Sequence, residues 1–324
     1  MLRYLLQRLL VLIPTFLGIT LLTFSLIRLI PGDPVEVMVG ERSLDPEMHA
    51  AALKRLGLDQ PLYVQYGRYL ADLAQGNLGQ SLKTQASVWS EFKSLFPATL
   101  ELALVALLIA LVFGLIAGVL AAVQRGKWLD HTVMTAALTG YSMPIFWWGL
   151  LLILVFSVGL GWLPAFGRGE LVQLGGWSTG LLSRSGWASL LMPAVTLALF
   201  QLTLFMRLTR TQMMEVMRSE YIKFARARGL RERSVHFKHA LRNTLIPIIT
   251  VAGLQIGAMI AFSIITETVF QWPGLGLLII QAITFSDVPV IAAYLLLIAL
   301  LFVLINTVVD LLYFAVDPRL RTTR

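Results

Sequence analysis

Long apolar runs alternate with polar segments along the whole chain. A helix that spans a bilayer needs roughly 20 apolar residues, and six runs are close to that length or longer. The third run contains Pro144, and a break there would leave two pieces too short to cross, so it predicts one tilted or kinked crossing. The six predicted spans are Leu9–Ile30, Ala98–Val123, Val133–Leu160, Leu190–Leu208, Ile246–Val269 and Val290–Ala315.

Small residues recur at four-residue spacing on two of these spans, where they allow helix backbones to approach closely. We expect most of these contacts to lie within the chain, with a second chain as the alternative. The stripes are Ala110, Gly114, Gly118 and Ala122 on the second span, and Gly253, Gly257 and Ala261 on the fifth.

The polar segment Pro31–Pro97, between the first and second spans, predicts a folded helical region. Asp45 followed by Pro46 is a favourable helix start, and Gly57 is a plausible stop. A second helix is predicted over Pro61–Gln75 from its apolar face. The pattern leaves two roles open for this segment, a cap over the helix ends or a docking surface for an external protein.

Composition supports a membrane protein. Of the 324 residues, 57% are hydrophobic and only 14% are charged, and the mean hydropathy is +0.77. Soluble domains average about 45–50% apolar and about 25% charged residues, so an ordinary water-soluble globule is excluded, as is an intrinsically disordered chain. The sequence contains no cysteine, which excludes disulfide scaffolds and thiolate sites.

The net charge of +8 follows the topology. Ten of the 26 Lys and Arg residues lie between Arg207 and Arg242, whereas the two short loops on the opposite side carry only Arg168 and Arg184. Positive residues concentrate on the cytoplasmic side of membrane proteins. We therefore expect both termini in the cytoplasm, and we expect the bilayer, not a nucleic acid, to account for the charge.

The basic stretch Arg210–Asn243 is the most informative polar segment. Its pattern predicts a short amphipathic helix from Glu220 to Arg228, stopped by Gly229, and a second helix over Glu232–Asn243. An amphipathic helix before a glycine turn could lie on anionic lipid headgroups. The alternative is a helix that inserts into a groove of a cytoplasmic partner.

This stretch resembles the coupling loop of the inner-membrane permease subunits of ATP-binding cassette importers, in the peptide and nickel branch. The family pattern is E-A-A-x-x-x-G; Gly229 matches its Gly and Ala225 its second Ala, whereas Lys223 and Phe224 replace the Glu and the first Ala. The peptide branch carries its own version of this pattern. Here that version reads Tyr221-Ile222, then Ala225-Arg226-Ala227-Arg228-Gly229, then His239-Ala240-Leu241-Arg242-Asn243.

The resemblance covers nearly the whole chain, and the first permease of a dipeptide importer is the most similar member of the branch. Further matching segments lie in every part of the sequence. They are Ile13–Thr15, Leu29–Pro34, Leu138–Trp148, Glu267–Gly276, Val309–Tyr313 and Asp317–Arg319.

The resemblance implies an all-α, polytopic membrane protein with six transmembrane helices, the permease fold of type I ATP-binding cassette importers, in a bacterial inner membrane. Residues 1–97 would form the first helix and a helical periplasmic segment, and residues 98–324 a five-helix core with a coupling loop at about 210–245. The implied partners are a second homologous permease, two cytoplasmic ATP-binding subunits and a periplasmic peptide-binding protein. The implied substrates are dipeptides or short peptides, with oligopeptides, glutathione or nickel as alternatives.

Two sets of site residues follow. The set expected to couple to the ATPase comprises Glu220, Tyr221, Ala225, Arg226, Ala227, Gly229 and Leu230. The set of pathway or gate candidates comprises Glu267, Asn306 and Asp310. A structural role at a helix end is the alternative for Glu267, and a hydrogen-bonded pair between helices is the alternative for the other two.

We expect no catalytic residue, metal site or cofactor in this chain. The G-x-x-x-x-G-K-[ST] phosphate loop does not occur in the sequence, so ATP and Mg²⁺ would be bound by the partner ATPase subunits. Ionisable residues within the predicted spans are few, which disfavours a proton-driven transporter. Ser178 lies in a G-x-S-x-G match, but hydrolases need a strand before that serine and a helix after it, and the loop 161–189 has no strand pattern.

Overall fold

The computed structural model describes residues 13–25, 46–56 and 59–316. The ends of the predicted first span, residues 9–12 and 26–30, and the matching segment 317–319 lie outside the described residues, as do both termini. The described residues are mainly helical. Their α-helices are α1 (Ile13–Ser25), α2 (Pro46–Leu56), α3 (Leu62–Ala74), α4 (Val88–Val123), α5 (Trp128–Ser142), α6 (Ile145–Leu152), α7 (Arg184–Met217), α8 (Glu220–Ala227), α9 (Glu232–Ser234), α10 (Leu241–Val269), α11 (Leu275–Thr284) and α12 (Val288–Val316).

Two π-helical segments and one hairpin complete the architecture. Ile153–Gly159 continues α6, and Val235–Ala240 joins α9 to α10. The antiparallel strands β1 (Val172–Leu174) and β2 (Trp177–Thr179) form the hairpin. The helices predicted between Asp45 and Gly57 and over Pro61–Gln75 are confirmed as α2 and α3, whereas Asp45 and Gly57 themselves lie outside the described residues.

Four helical segments are long and apolar enough to cross a membrane, namely Val88–Val123, Arg184–Met217, Glu232–Val269 and Val288–Val309. The bent pair of α5 with Ile145–Gly159 makes five if it counts as one span. The shorter apolar helix α1 lies inside the first predicted span, Leu9–Ile30. The structure therefore confirms an all-α, polytopic chain.

The third predicted span differs from expectation because its two halves meet at 100°. Pro144 has no N–H with which to bond the carbonyl of Gly140, four residues earlier, so the helix ladder breaks there. Trp148 Nε1 donates to that carbonyl at 2.9 Å instead. The third predicted span is thus sharply bent at Pro144, and the carbonyl that proline leaves without its backbone donor is bonded by Trp148.

The second predicted helix of the basic stretch also differs. Glu232–Asn243 is not a separate helix, because the π-helical turn carries the chain from α9 into α10 without a break. Pro247 lies near the start of α10 and does not end it.

The loop 161–189 contains the hairpin β1–β2. The expectation that this loop has no strand was therefore wrong. Gly175 has a φ of +62° and sits in the two-residue turn with Gly176. Such turns favour residues that reach positive φ. Ser178 lies inside β2 and pairs with Gln173, so it is not on the strand-to-helix turn of a hydrolase.

The chain divides into two compact units, and the first comprises Met1–Phe96 with Leu277–Thr307. Its described core includes the buried residues Val88, Ala282, Val290 and Ala293. The buried carboxylate of Asp287 accepts a hydrogen bond from Ser81 Oγ at 2.5 Å.

In the same unit α1 and α3 meet through polar and aromatic side chains. The hydroxyls of Thr20 and Tyr66 lie 2.9 Å apart, and the rings of Phe24 and Tyr66 meet edge to face at 5.2 Å. On α3, burial raises the pKa of Tyr69 to about 12.

The second unit comprises Pro97–Gly276 with Val308–Arg324, and α7 is its central helix. Helices α5, α6 and α10 pack on α7. A Cβ at Gly118 would lie 2.6 Å from the Met206 carbonyl oxygen, and one at Gly253 would lie 2.8 Å from Val309 Cγ1. Both small-residue stripes therefore make contacts within the chain, which confirms the expectation of internal packing.

Candidate functional site

The short helix α8 is amphipathic, as its sequence predicts. Ser219 precedes it, and Arg228 ends it just before Gly229. Ile222 and Ala225 are buried, whereas the other α8 residues are exposed. Ile222 belongs to an apolar cluster that brings together the ends of α4 and α7 and the π-helical turn before α10. The cluster comprises Val119, Ala122, Met213, Ile222, Val235 and Ala240.

The opposite surface of this segment is aromatic and basic. Tyr221 is 49% exposed and Phe224 is 64% exposed, and Phe237 on the π-helical turn is 53% exposed. The Arg228 guanidinium lies 5.8 Å from the centre of the Phe224 ring. Exposed aromatic residues grouped in this way mark an interaction surface more often than an isolated apolar residue does.

Polar contacts hold α8 against the following turn. Tyr221 Oη and His239 Nδ1 lie 2.7 Å apart. Arg226 forms two hydrogen bonds to the carboxylate of Glu232, at 2.8 and 3.2 Å. These contacts fix the connection between α8 and the turn at two places.

Glu220 and Lys223 form an ion pair at 2.7 Å within the first turn of α8, and both are solvent-exposed. Ala227 and Leu230 are also exposed. The structure thus brings all seven predicted coupling residues together on one short segment.

Gly229 adopts a φ of +73°, a left-handed conformation that costs other L-residues roughly 1–2 kcal/mol. A Cβ at this position would meet nothing within 4 Å. The glycine is therefore required here by the backbone turn and not by crowding inside the chain.

A second contact fastens the first turn of α5, and the loop before it, to α7. Asp130 is buried and accepts two hydrogen bonds from Arg210, at 2.7 and 2.8 Å, and a third from the Gly126 N–H at 3.0 Å. The sequence interpretation missed this pair because 80 residues separate its members.

Glu267 lies at the other end of the second unit and is fully buried. Its carboxylate accepts hydrogen bonds from Thr99 Oγ1 at 2.7 Å, from Ser263 Oγ at 3.1 Å and from the Gly276 N–H at 2.6 Å. A Cβ at Gly274 would lie 2.5 Å from the same carboxylate. This geometry braces the turn after α10 and corresponds to the structural alternative for Glu267.

Asn306 is partly buried in α12. Asp310 belongs to the same helix, but its side chain lies outside the described residues. The proposed roles of these two residues stay predictions.

A buried ion pair that sequence reasoning missed lies near Glu267. Arg168 Nη2 donates to Glu101 Oε2 at 2.7 Å and to the Ser178 carbonyl at 2.8 Å. Trp177 Nε1 donates to the other Glu101 oxygen at 3.1 Å. The pair thereby fastens the hairpin to α4, and the 67-residue separation gave no local signal.

The described ranges contain no group of three or more His, Asp or Glu side chains that could hold a metal ion. The His236 and Glu232 side chains do form a contact at 3.2 Å. This contact joins Glu232 to the π-helical turn.

Two family models match the chain. The model described as "Binding-protein-dependent transport system inner membrane component" matches residues 110–322, and the model for the N-terminal part of such membrane components matches residues 1–103. The first match alone covers more than half of the sequence.

Curated relatives align over their full length. The di/tripeptide transport system permease protein DppB of Pseudomonas aeruginosa is 54% identical, with 100% of both chains covered. The dipeptide permease DppB of Escherichia coli K12 is 46% identical, and the glutathione permease GsiC of Salmonella paratyphi A is 41% identical, each with 99% of both chains covered.

A solved structure supports the fold. A chain of the inward-facing methionine ABC transporter MetNI matches with a TM-score of 0.54 and 21% identity, over 71% of this chain and 94% of that one. Together with the two family models, these matches show that the chain belongs to the family of inner membrane components of binding-protein-dependent transport systems.

Proposed function

We propose that this chain is a membrane subunit of an ATP-driven importer, and that it carries dipeptides or short peptides from the periplasm to the cytoplasm. Relatives named for dipeptide transport align over the full chain at 46–54% identity. The observation that carries the proposal is the α8 segment, which buries one face on three helices and leaves an aromatic, basic face open.

The proposed assembly contains four kinds of subunit. A second homologous permease completes the path, two cytoplasmic subunits bind and hydrolyse ATP with Mg²⁺, and a periplasmic protein delivers the peptide. This chain is non-catalytic and holds no cofactor of its own. Both of its termini face the cytoplasm, which places α8 on the ATPase side.

The packing of α8 supports a mechanical role. Force applied to its exposed face reaches α4 and α7 through Ile222, which packs in the cluster with Val119 and Met213. It also reaches α10 along the backbone, because Glu232–Val269 is continuous helix. Closure of the ATPase subunits would in this way move several spans together as rigid bodies, the kind of motion by which a binding site alternates between two sides.

The test compares two variants of Gly229 in the complete importer reconstituted in liposomes. Gly229→Asn keeps a residue that tolerates positive φ, and its side chain extends into open space. Gly229→Leu imposes a strained turn and a bulky group on the partner's side. We expect the Leu variant to hydrolyse ATP with at least a tenfold loss of dipeptide uptake per ATP, and the Asn variant to retain more than half.

Membrane insertion and subunit stoichiometry serve as controls for both variants. Wild-type uptake by Gly229→Leu would contradict the coupling role of this turn. Uptake that persists without the ATPase subunits would instead favour a proton-driven carrier.

Glutathione is the second candidate substrate, because the relative named for glutathione transport is 41% identical. Competition between labelled dipeptide and unlabelled glutathione in the same liposomes separates the two. We expect excess dipeptide to suppress uptake at least tenfold more effectively than excess glutathione.

A further inference from the structure

Two glutamines occupy the midpoints of the two helices that form the centre of the second unit. Gln201 stands halfway along α7 and Gln255 halfway along α10. At 1.5 Å per residue, Gln255 is about 21 Å from either end of its helix. Both carboxamides therefore lie at the depth where a span is surrounded by hydrocarbon or by other protein.

The two side chains are hydrogen-bonded to each other, and this bond leaves the amide nitrogen of Gln255 without an acceptor among the described residues. Gln201 is buried, and its Nε2 donates to Gln255 Oε1 at 3.0 Å. A glutamine amide nitrogen has two donors, and across the described part of the chain the Gln255 nitrogen donates to no partner. Gln255 is also only partly buried, so its amide faces the surface of the unit.

Three aromatic rings that contact one another in series lie next to this pair of glutamines. The ring of Phe200, the residue before Gln201, stacks on Tyr141 at 5.1 Å and lies 5.4 Å from the ring of Phe262. Phe262 follows Gln255 by two helical turns, which places both on one face of α10. Tyr141 is 51% exposed, and within the described ranges its hydroxyl bonds to no other residue.

Hydrocarbon cannot satisfy these groups. An amide or hydroxyl donor that faces lipid tails loses the hydrogen bonds it makes in water, which is costly. The surface that carries Tyr141 and Gln255 must therefore face a polar environment at mid-membrane depth.

From this juxtaposition we infer that Gln255, positioned by Gln201 and flanked by Tyr141 and Phe262, is a peptide subsite in the translocation path. The amide donors bind carbonyl or carboxylate oxygens of the peptide backbone, and the aromatic rings contact its side chains. The inference rests on the proposed peptide transport and specifies where in this chain the peptide passes.

The first experiment separates a subsite from a simple helix contact. Gln201→Met and Gln255→Met remove the same bond between α7 and α10, but only the second removes the outward-facing donors. In the complete reconstituted importer we expect Gln255→Met to lower dipeptide uptake per ATP at least tenfold, and Gln201→Met less than threefold. Thr250→Val is the matched control on α10, because the Thr250 hydroxyl is bonded to its own helix at Ile246.

Equal losses in the two Met variants, with equal falls in the unfolding temperature of the complex, would assign the pair to helix packing and overturn the inference. Unchanged uptake in Gln255→Met would overturn it as well. A wild-type importer that transports no dipeptide would contradict the proposed function, whereas these comparisons between variants test the subsite.

The second experiment does not depend on the substrate. Because the chain contains no cysteine, Gln255→Cys introduces its single thiol. We expect a membrane-impermeant thiol reagent to modify this site at least tenfold faster than Leu108→Cys, an exposed apolar position near the middle of α4. A Gln255→Cys thiol as unreactive as the Leu108→Cys thiol would show that lipid or the sister permease covers this surface, and would overturn the inference.

Discussion

Charged residues have opposite roles in the turn after α10 and on the exposed face of α8. Where α10 ends, the side chains of Glu101, Arg168 and Glu267 are buried. Glu101 pairs with Arg168, and Glu267 accepts a hydrogen bond from the Gly276 N–H. In the segment around α8, Glu220 and Lys223 are exposed, and their ion pair lies in solvent. The charged residues near the turn after α10 therefore stabilise the local structure, whereas those on the exposed face of α8 face the solvent.

This difference shows how burial assigns a role to a charged residue. A buried carboxylate is stable only when its partners are in place, so it fixes a local geometry. An exposed pair contributes little to stability and remains available to bind something else. The contrast predicts that substitutions in these two regions will separate stability from coupling.

The largest effect on stability is expected for Glu101→Leu, which leaves the buried guanidinium of Arg168 without its carboxylate. Removing one member of a buried pair costs about 3–5 kcal/mol. Denaturant unfolding of the purified chain in detergent measures the loss. The double variant Glu101→Leu/Arg168→Leu is the control, and we expect it to recover at least half of the lost free energy. A single variant as stable as wild type would contradict the structural role of this pair.

An intermediate effect is expected for Glu267→Gln. One oxygen becomes an NH₂ group, and if that group faces the Gly276 N–H, which donates at 2.6 Å, two donors meet. If it turns away, a bond from Thr99 or Ser263 is lost instead. An unsatisfied buried group costs about 1–3 kcal/mol, and we expect a fall of that size in the free energy of unfolding.

Gly276→Ala offers an independent test of the same brace, because its Cβ would lie 2.6 Å from Ile264 Cα. Overpacking of this kind costs about 1–3 kcal/mol. Unchanged stability in both variants would show that the turn after α10 does not depend on Glu267.

The smallest effect on stability is expected for Arg226→Gln. The pair that it forms with Glu232 is exposed on both sides, and solvent screens it, so the loss should stay below about 0.5 kcal/mol. The same unfolding measurement applies, with ATPase activity of the assembled importer as the second readout. A stability loss as large as that of Glu101→Leu would break the comparison between the two regions.

Much of the fold follows from periodicity. Apolar runs located the spans, the small residues on α4 and α10 predicted close packing, and the pattern of Glu220–Arg228 predicted that α8 is amphipathic. These signals are local, because each depends on residues within a few helical turns of one another.

The features that sequence missed depend on distant partners or on backbone chemistry. Glu101 and Arg168 are brought together by folding across 67 residues, and Asp130 and Arg210 across 80. Pro144 signalled a break but could not specify an angle of 100°, because the bend also requires Trp148 to supply the missing donor. The pair Gly175-Gly176 is typical of a hairpin turn, but the loop around it is rich in glycine, so the pair did not stand out in the sequence.

The indole of Trp148 has a consequence for motion in this part of the chain. Straightening α5 and α6 would not restore a backbone donor to the Gly140 carbonyl, since Pro144 has no N–H, and the Trp148 indole already bonds to that carbonyl. The Trp148 side chain therefore supports the bent form of this corner. When neighbouring spans shift, we expect α5 and α6 to move together as one rigid body, with the angle between them unchanged.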